Sequence, residues 1–504
     1  MVMILNLPSP PGMDVNRDYS GGYGTAHIAN RKDYGHFADI LFPVFMPYLA
    51  SKIKREGYKL KVLDAQATRL NSDGTIREIK NKQPKFIISM ICLPSLYGDI
   101  HLLNKIKEKF PETFLIGVGA VCKVLSEEIL EKSKIDFLVN AEYPFYSNPI
   151  IKLIDTLDKK STSSVEKISG LIYREKQEKK LLVKNNPLQG SQMDESLDDL
   201  DIKIYSEFPI EKYKLRFFGP YGKRLNYFPI LSGKGCPFPC IYCPYPIGFG
   251  KKIFYKSPVN LVNEIEFLNE SFGIKAFVFR DQVFTANKER IKRICDLISE
   301  RNLKVNWLCE TRADKVSKNL LRKMKKAGCN RIHYGVETGD ENVLRKVGKP
   351  VVNKKVIKEA FKITREEGIY TSAHIIIGLP GETKETLMNT YNFLLEINPD
   401  SVTWNLITPY PGTKLFNIAK QKKLILTYDW EKYNTEDVVM RTEEISGKEL
   451  EKIKKTFRSN FRIRQILRRM VKGLYSKKDF VFLLRRIIYE FALKTRLRHG
   501  DSSS

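Results

Sequence analysis

The feature that most constrains this chain is an alternation of two hydrophobic periods. From residue 228 onward, short apolar runs begin near 228, 276, 304, 331, 371 and 401, and stretches of helical spacing separate them, at 259–271, 288–300, 318–327, 341–345, 353–367 and 384–395. Strand and helix in strict succession predict parallel strands with helices on the outside, here a partial (βα)6 TIM-like barrel over 211–430. Chemistry in such barrels sits at the carboxyl ends of the strands. Those ends are polar: Arg280-Asp281-Gln282, Glu310-Thr311-Arg312, Glu337-Thr338, the turn 378–383 beginning at Gly378, and Pro409-Tyr410-Pro411-Gly412-Thr413. Each also has a purely structural explanation: Glu337 could pair Arg312 as scaffold, and 378–381 could merely turn the chain into a capped helix.

A second alternation occupies residues 1–160. Strand-like runs at 1–7, 60–63, 86–92, 114–117 and 137–139 are interleaved with helical spacing at 45–56, 102–110 and 125–132. The pattern predicts a doubly wound, Rossmann-like α/β domain. Its first strand runs into Pro8-Ser9-Pro10-Pro11-Gly12, and such a step places backbone at the ligand-binding edge of an open sheet. The glycines Gly117 and Gly119 are too few to mark a dinucleotide loop. Residues 161–210 read as a join, with a hairpin at 168–173 and 180–183 and an acidic stretch at 194–201; residues 431–504 read as a basic helical extension.

Just inside the barrel segment stand Cys236, Cys240 and Cys243, spaced C-x3-C-x2-C in a loop that Pro237, Pro239 and Pro244 keep out of helix and strand. Three thiolates so close suit an iron–sulfur cube with one iron left open. Zinc is the alternative, but a structural zinc site wants four ligands, and no histidine or second CxxC lies near in sequence. The other cysteines, Cys92, Cys122, Cys295, Cys309 and Cys329, are scattered singly on apolar segments and read as buried thiols of a reducing compartment.

The loop, with Tyr242 before its last cysteine, resembles the signature of radical S-adenosylmethionine (radical SAM) enzymes. That resemblance implies a 4Fe-4S cluster whose open iron is chelated by SAM, reductive cleavage to a 5′-deoxyadenosyl radical, and an external electron donor such as ferredoxin or flavodoxin. The runs at 279–285, 335–349, 375–383 and 408–413 look like the core of the cobalamin-associated group of that family. On the resemblance, Asp281 and Gln282 stand where SAM's amino group is contacted, Arg312 and Glu337 line the SAM site with Tyr242, and Gly378 supports the adenine. The segments 47–65, 117–120 and 136–142 resemble the family's cobalamin-binding half, which makes Ser9, Ser95, Gly117, Gly119 and Glu142 candidate cobalamin contacts. Asp99-Ile100-His101 begins like a cobalt-ligating motif but has Asn104 where glycine belongs, so His101 reads as a helix-surface residue. The lower cobalt face would then lack histidine.

The implied reaction is methylation of an unactivated carbon in a small molecule or lipid. Radical cyclisation or rearrangement with the same cofactors is the alternative. A methylthiotransferase-like modification of RNA or protein would need three more cluster cysteines in the first domain, where only Cys92 and Cys122 stand.

Charge speaks to partners. Lys plus Arg exceeds Asp plus Glu by 86 − 58 = 28, and residues 452–498 hold sixteen basic against two acidic residues, a net of +14. Solvated helix faces in a lysine-rich chain would account for this. Yet Phe480, Leu484, Ile487, Ile488 and Phe491 share one helical face, which predicts a helix docked on the barrel with a peripheral bias toward anionic lipid rather than nucleic acid. The longest apolar run, 40–50, is broken by Pro43 and Pro47, so a cytoplasmic protein is expected.

Overall fold

The computed structural model describes residues 1–28, 40–141, 147–158, 164–177, 180–187, 196–218, 224–349, 352–471, 480, 481 and 484. Two sheets dominate it. The first has seven strands in the spatial order Leu60–Asp64, Val2–Asn6, Phe86–Met90, Phe114–Val118, Phe137–Val139, Leu171–Gln177, Lys180–Asn185. Its first five are parallel. Helices cover both faces, so Val2–Leu5 and Ile87–Ile88 are wholly buried and read as continuous apolar runs. Strand order reverses at Val2–Asn6, the switch point where open α/β sheets form a crevice.

Three features depart from the sequence reading. The hairpin Leu171–Gln177/Lys180–Asn185 does not bridge the domains; it pairs antiparallel with Phe137–Val139 and extends the first sheet. Ile172 is buried there, so the alternation marks a half-covered edge of that sheet. The helix expected at 125–132 is present as Ser126–Lys132, but a short helix that was not foreseen, Ala120–Val124, precedes it. A small hairpin, Met13–Asn16 with Thr25–Ile28, and two helices, Ser72–Lys82 and Ser147–Leu157, were not foreseen. His101 is exposed on helix Leu96–Lys109, as expected.

The second sheet is the partial barrel: Phe228–Ile230, Ala276–Phe279, Asn306–Thr311, Cys329–Glu337, Tyr370–Ile377 and Ser401–Leu406, adjacent in that order and all parallel. Its helices start where capping residues satisfy the first free N–H groups: Ser257, Asn287, Asn353 and Thr383 each accept from the backbone one turn ahead. The long helix Gly447–Val471 docks on the last strand through Phe457 and Phe461 against Trp404. Phe480, Val481 and Leu484 are exposed, while the rest of the amphipathic segment, with Ile487, Ile488 and Phe491, lies outside the described residues. No described helix is long and apolar enough to cross a membrane.

The carboxyl edges of the two sheets face each other. Tyr23 Oη donates to Pro411 O at 2.5 Å and Thr25 Oγ1 to Asn434 O at 2.8 Å, tying the small hairpin to the barrel. A Cβ on Gly248 would lie 1.6 Å from Gly21 O, so the turn at Ser20–Gly22 and the segment after the cysteine loop touch backbone to backbone. Trp430 Nε1 donates to Glu128 Oε2 at 3.0 Å from the other side.

Candidate active site at the barrel mouth

The cysteine loop leaves the first barrel strand under tight control. Asp281, at the end of the second strand, accepts from Ser232 N at 2.9 Å and Ser232 Oγ at 2.7 Å. Gln282 Oε1 accepts from Gly235 N at 3.0 Å. Gly235 has φ +95°, and a side chain there would run into Lys252 O. So held, Cys236, Cys240 and Cys243 all line one cavity of about 220 Å³ at the barrel mouth. Burial pushes all three thiols above their ordinary range; neighbouring sulfurs add to it at Cys236 and Cys243, while Lys349 and Arg312 pull Cys240 back down. All three open on one space, and three is the number of protein ligands taken by a cube whose fourth iron is left open. Loading a cluster must therefore expel protons as well as bind metal.

Four of the expected SAM-site residues reach this cavity: Tyr242, Gln282, Arg312 and Glu337. Glu337 sits at a register break between the fourth and fifth strands with φ +63°, a left-handed conformation rare for glutamate and held only because its surroundings insist on it. Lys349 Nζ donates to Glu337 Oε1 at 2.5 Å and to Gly335 O at 3.2 Å. Burial, and then the charge of Glu337, push the Tyr242 hydroxyl well above its usual range, so Tyr242 is a donor. Arg312 does not pair with Glu337: its Nε donates to Asp314 at 2.8 Å, and its guanidinium lies 3.9 Å from the centre of the Phe238 ring. The sequence reading of Glu337 and Arg312 as a scaffold pair is thus replaced by two separate pairs.

Asp281 and Gly378 are placed otherwise. Asp281 is buried with its oxygens committed to Ser232 and does not line the cavity. Gly378, φ +95°, starts the turn after strand Tyr370–Ile377, where it and Leu379 donate their N–H groups to Glu382 Oε2 at 2.7 and 3.0 Å. Burial raises Glu382 to about 8.

Four of the candidate cobalamin residues, Ser9, Ser95, Gly117 and Gly119, gather at the carboxyl edge of the first sheet, where each is engaged by the chain itself. Arg17, from the small hairpin, enters the crevice and grips Asp99 through both nitrogens, at 2.5 and 2.9 Å, while Ser95 Oγ donates to the same carboxylate at 2.9 Å. The guanidinium also donates to Leu7 O and Pro8 O. Desolvation opposes the Arg17 charge and Asp99 more than offsets it, while burial pushes the Asp99 carboxyl up and Arg17 pulls it back. Ser9 Oγ accepts from Val15 N and Gln66 Nε2. A Cβ on Gly117 would strike Leu138 and Ile91 side chains, and one on Gly119 would lie 2.8 Å from Ile91 O, so both glycines serve internal packing. Glu142 lies outside the described residues.

Sequence reasoning missed several cavity residues. Tyr19 and Ser20 come from the first domain and close the barrel mouth, with Arg280 stacked 5.3 Å over the Tyr19 ring. His333 and His374 line the cavity too, beside Glu310, which the polar end of its strand had already marked. Their signal was available: polar residues inside otherwise apolar barrel strands must point inward.

A partial parallel barrel with three thiols converging on a cavity at its carboxyl end defines an enzyme built around a metal cluster. Residues 230–394 match the radical SAM superfamily. The chain is 27% identical over 441 residues to an uncharacterized methyltransferase of Pyrococcus horikoshii, covering 87% of this chain and 91% of that protein. It is 26% identical over 419 residues to the anaerobic magnesium-protoporphyrin IX monomethyl ester cyclase of Cereibacter sphaeroides, covering 81% of this chain and 65% of the cyclase. Among solved structures, the cobalamin-dependent SAM radical enzyme OxsB, with aqua-cobalamin and SAM bound, superposes with TM-score 0.70 at 16% identity over 99% of this chain and 75% of OxsB. The radical SAM methyltransferase TsrM of Kitasatospora setae, with cobalamin and a 4Fe-4S cluster bound, gives 0.62 at 16% over 83% of this chain and 78% of TsrM. Residues 230–394 are thus a radical SAM domain, and the chain as a whole shares the fold of these cobalamin-dependent enzymes.

Proposed function

We propose that this enzyme carries a 4Fe-4S cluster on Cys236, Cys240 and Cys243, cleaves SAM reductively, and methylates an unactivated carbon with cobalamin as the second cofactor. The observation that carries the reading is the cavity itself: three thiols open into the same space as Glu337, Arg312 and Tyr242. When bound, the cofactors supply the electron, the carbon radical and the methyl group. The chain's own part is placement. Glu337, steadied by Lys349 and Tyr242, offers a carboxylate to the SAM ammonium. Arg312, its face covered by Phe238 and its Nε taken by Asp314, directs its remaining N–H groups at the SAM carboxylate. Ile376, Leu406 and Ile407 also line the cavity and give it an apolar boundary that excludes water from the charges set around the cofactor.

The cobalamin part of this reading is supported by the shared architecture rather than by Ser9, Ser95, Gly117 and Gly119, whose polar groups and close contacts are used internally. The reading assigns the reducing electron to a ferredoxin or flavodoxin and the substrate to a small molecule or lipid, with the basic end of the chain toward anionic headgroups. The cyclase relative favours a second outcome, ring closure with the same cofactors. Anaerobically reconstituted protein fed SAM with a deuterated methyl group should release 5′-deoxyadenosine and place the label in product. Label absent from a cyclised product selects ring closure, and no 5′-deoxyadenosine defeats both.

A further inference from the structure

We propose that Glu310, His333 and His374 form a binding site for a divalent metal ion of the zinc class, separate from the cluster thiols, with its open position facing the cavity. The three come from consecutive parallel strands of the barrel. Glu310 and His333 are register partners, and His374 stands beside Gly335, two residues further toward the carboxyl end. One ligand atom from each lies within 4.8 Å of the other two, and among the described residues this is the set of three Cys, His, Asp or Glu that converges so closely. His333 Nδ1 and His374 Nε2 are 3.2 Å apart. Ligands on one tetrahedral ion with bonds near 2.0–2.1 Å stand about 3.4 Å apart, so the imidazoles need little movement to share an ion.

The donor types are those of a borderline transition ion. Two imidazoles with one carboxylate make a three-ligand set that leaves room for an exogenous oxygen, as catalytic zinc sites and mononuclear iron sites do. His333 is buried, and burial together with the positive charges around it favours its neutral form, the form that ligates. All three side chains line the cavity that the cluster thiols line. The fourth position therefore opens toward the space a substrate occupies and would take a carboxylate, phosphate or carbonyl oxygen. That role in holding substrate rests on the cavity being the active site; the ion itself does not.

A plainer account exists. Arg280 is in electrostatic reach of Glu310, and a counter-charge beside a hydrogen-bonded imidazole pair would explain the same residues. It predicts no ion. The test is equilibrium dialysis of the full chain, with its cluster reconstituted, against Zn2+, measuring zinc, iron and sulfide in the same sample. One zinc per chain at unchanged iron and sulfide is expected. Glu310→Gln and His374→Ala should each weaken zinc binding at least about 100-fold, the upper end of what even an outer-shell partner's loss costs a metal site. Glu310→Gln preserves shape, and unchanged cluster content in it reports a folded barrel. The combined Cys236→Ser, Cys240→Ser, Cys243→Ser chain should still take one zinc, which separates this site from the cluster reading. Zinc absent from the parent chain, or bound equally by the Glu310 and His374 variants, overturns the proposal.

Discussion

The first sheet and the barrel turn the same kind of edge toward each other and finish it differently. At the first edge a guanidinium enters the crevice and is consumed: Arg17 satisfies Asp99 and two backbone carbonyls, and Ser95 completes the network. At the barrel edge the charged groups are steadied from the side and left facing a cavity, as Lys349 steadies Glu337 and Phe238 backs Arg312. A charge whose partners are all local holds structure together. One with a free face, in a site that water leaves, can hold a ligand.

That contrast can be broken in several places. The largest effect belongs to Cys240→Ala, which should abolish 5′-deoxyadenosine formation while leaving the circular dichroism spectrum unchanged. Next, Asp99→Ala strands a buried guanidinium and should cost about 3–5 kcal/mol of stability in denaturant unfolding, as breaking buried ion pairs does. The Arg17 and Asp99 side chains are 2% and 1% exposed, so solvent offers little relief. If the first edge opens to receive cobalamin, hydroxocobalamin should bind at one equivalent by its visible spectrum and should raise the susceptibility of the 13–28 hairpin to proteolysis. At the barrel edge, Glu337→Gln should weaken SAM binding by about 10- to 100-fold, the worth of one hydrogen bond to a charged group, and should also lower stability because it leaves the buried Lys349 ammonium without its counter-charge.

The smallest effect is a pH dependence. Glu382 rises from 4.5 to about 8 in the folded protein because burial disfavours its charge. The folded state therefore binds the proton more tightly than the unfolded state. Stability from this group is complete below about pH 4.5 and falls as pH climbs toward 8. Glu382→Gln should flatten that slope in thermal unfolding measured across the same range.

Much was legible in the residues. The hydrophobic periods predicted both sheets, because a buried parallel strand must be apolar and its covering helix must repeat near 3.6 residues. The cysteine spacing pointed to the cluster loop, since sulfurs that close in sequence converge whatever the rest of the chain does. Tyr19 and Ser20 were illegible because nothing local says that a hairpin from the first domain reaches the barrel mouth. The partners of Asp281 were illegible for a related reason: its position at a strand end does not reveal that Ser232 bonds to both of its oxygens.

What the amino-acid order determined by itself was everything set by short-range covalent and steric rules: element type, strand succession, and a thiol triad within eight residues of chain. What only the tertiary structure decided was which polar groups meet. Glu310, His333 and His374 span 65 residues of sequence and converge only when three strands take one register. Arg17 and Asp99 likewise find each other 82 residues apart, across the switch point of a sheet. Pairings of this kind depend on closure of long loops, whose cost the whole core repays, so no local stretch of sequence carries them.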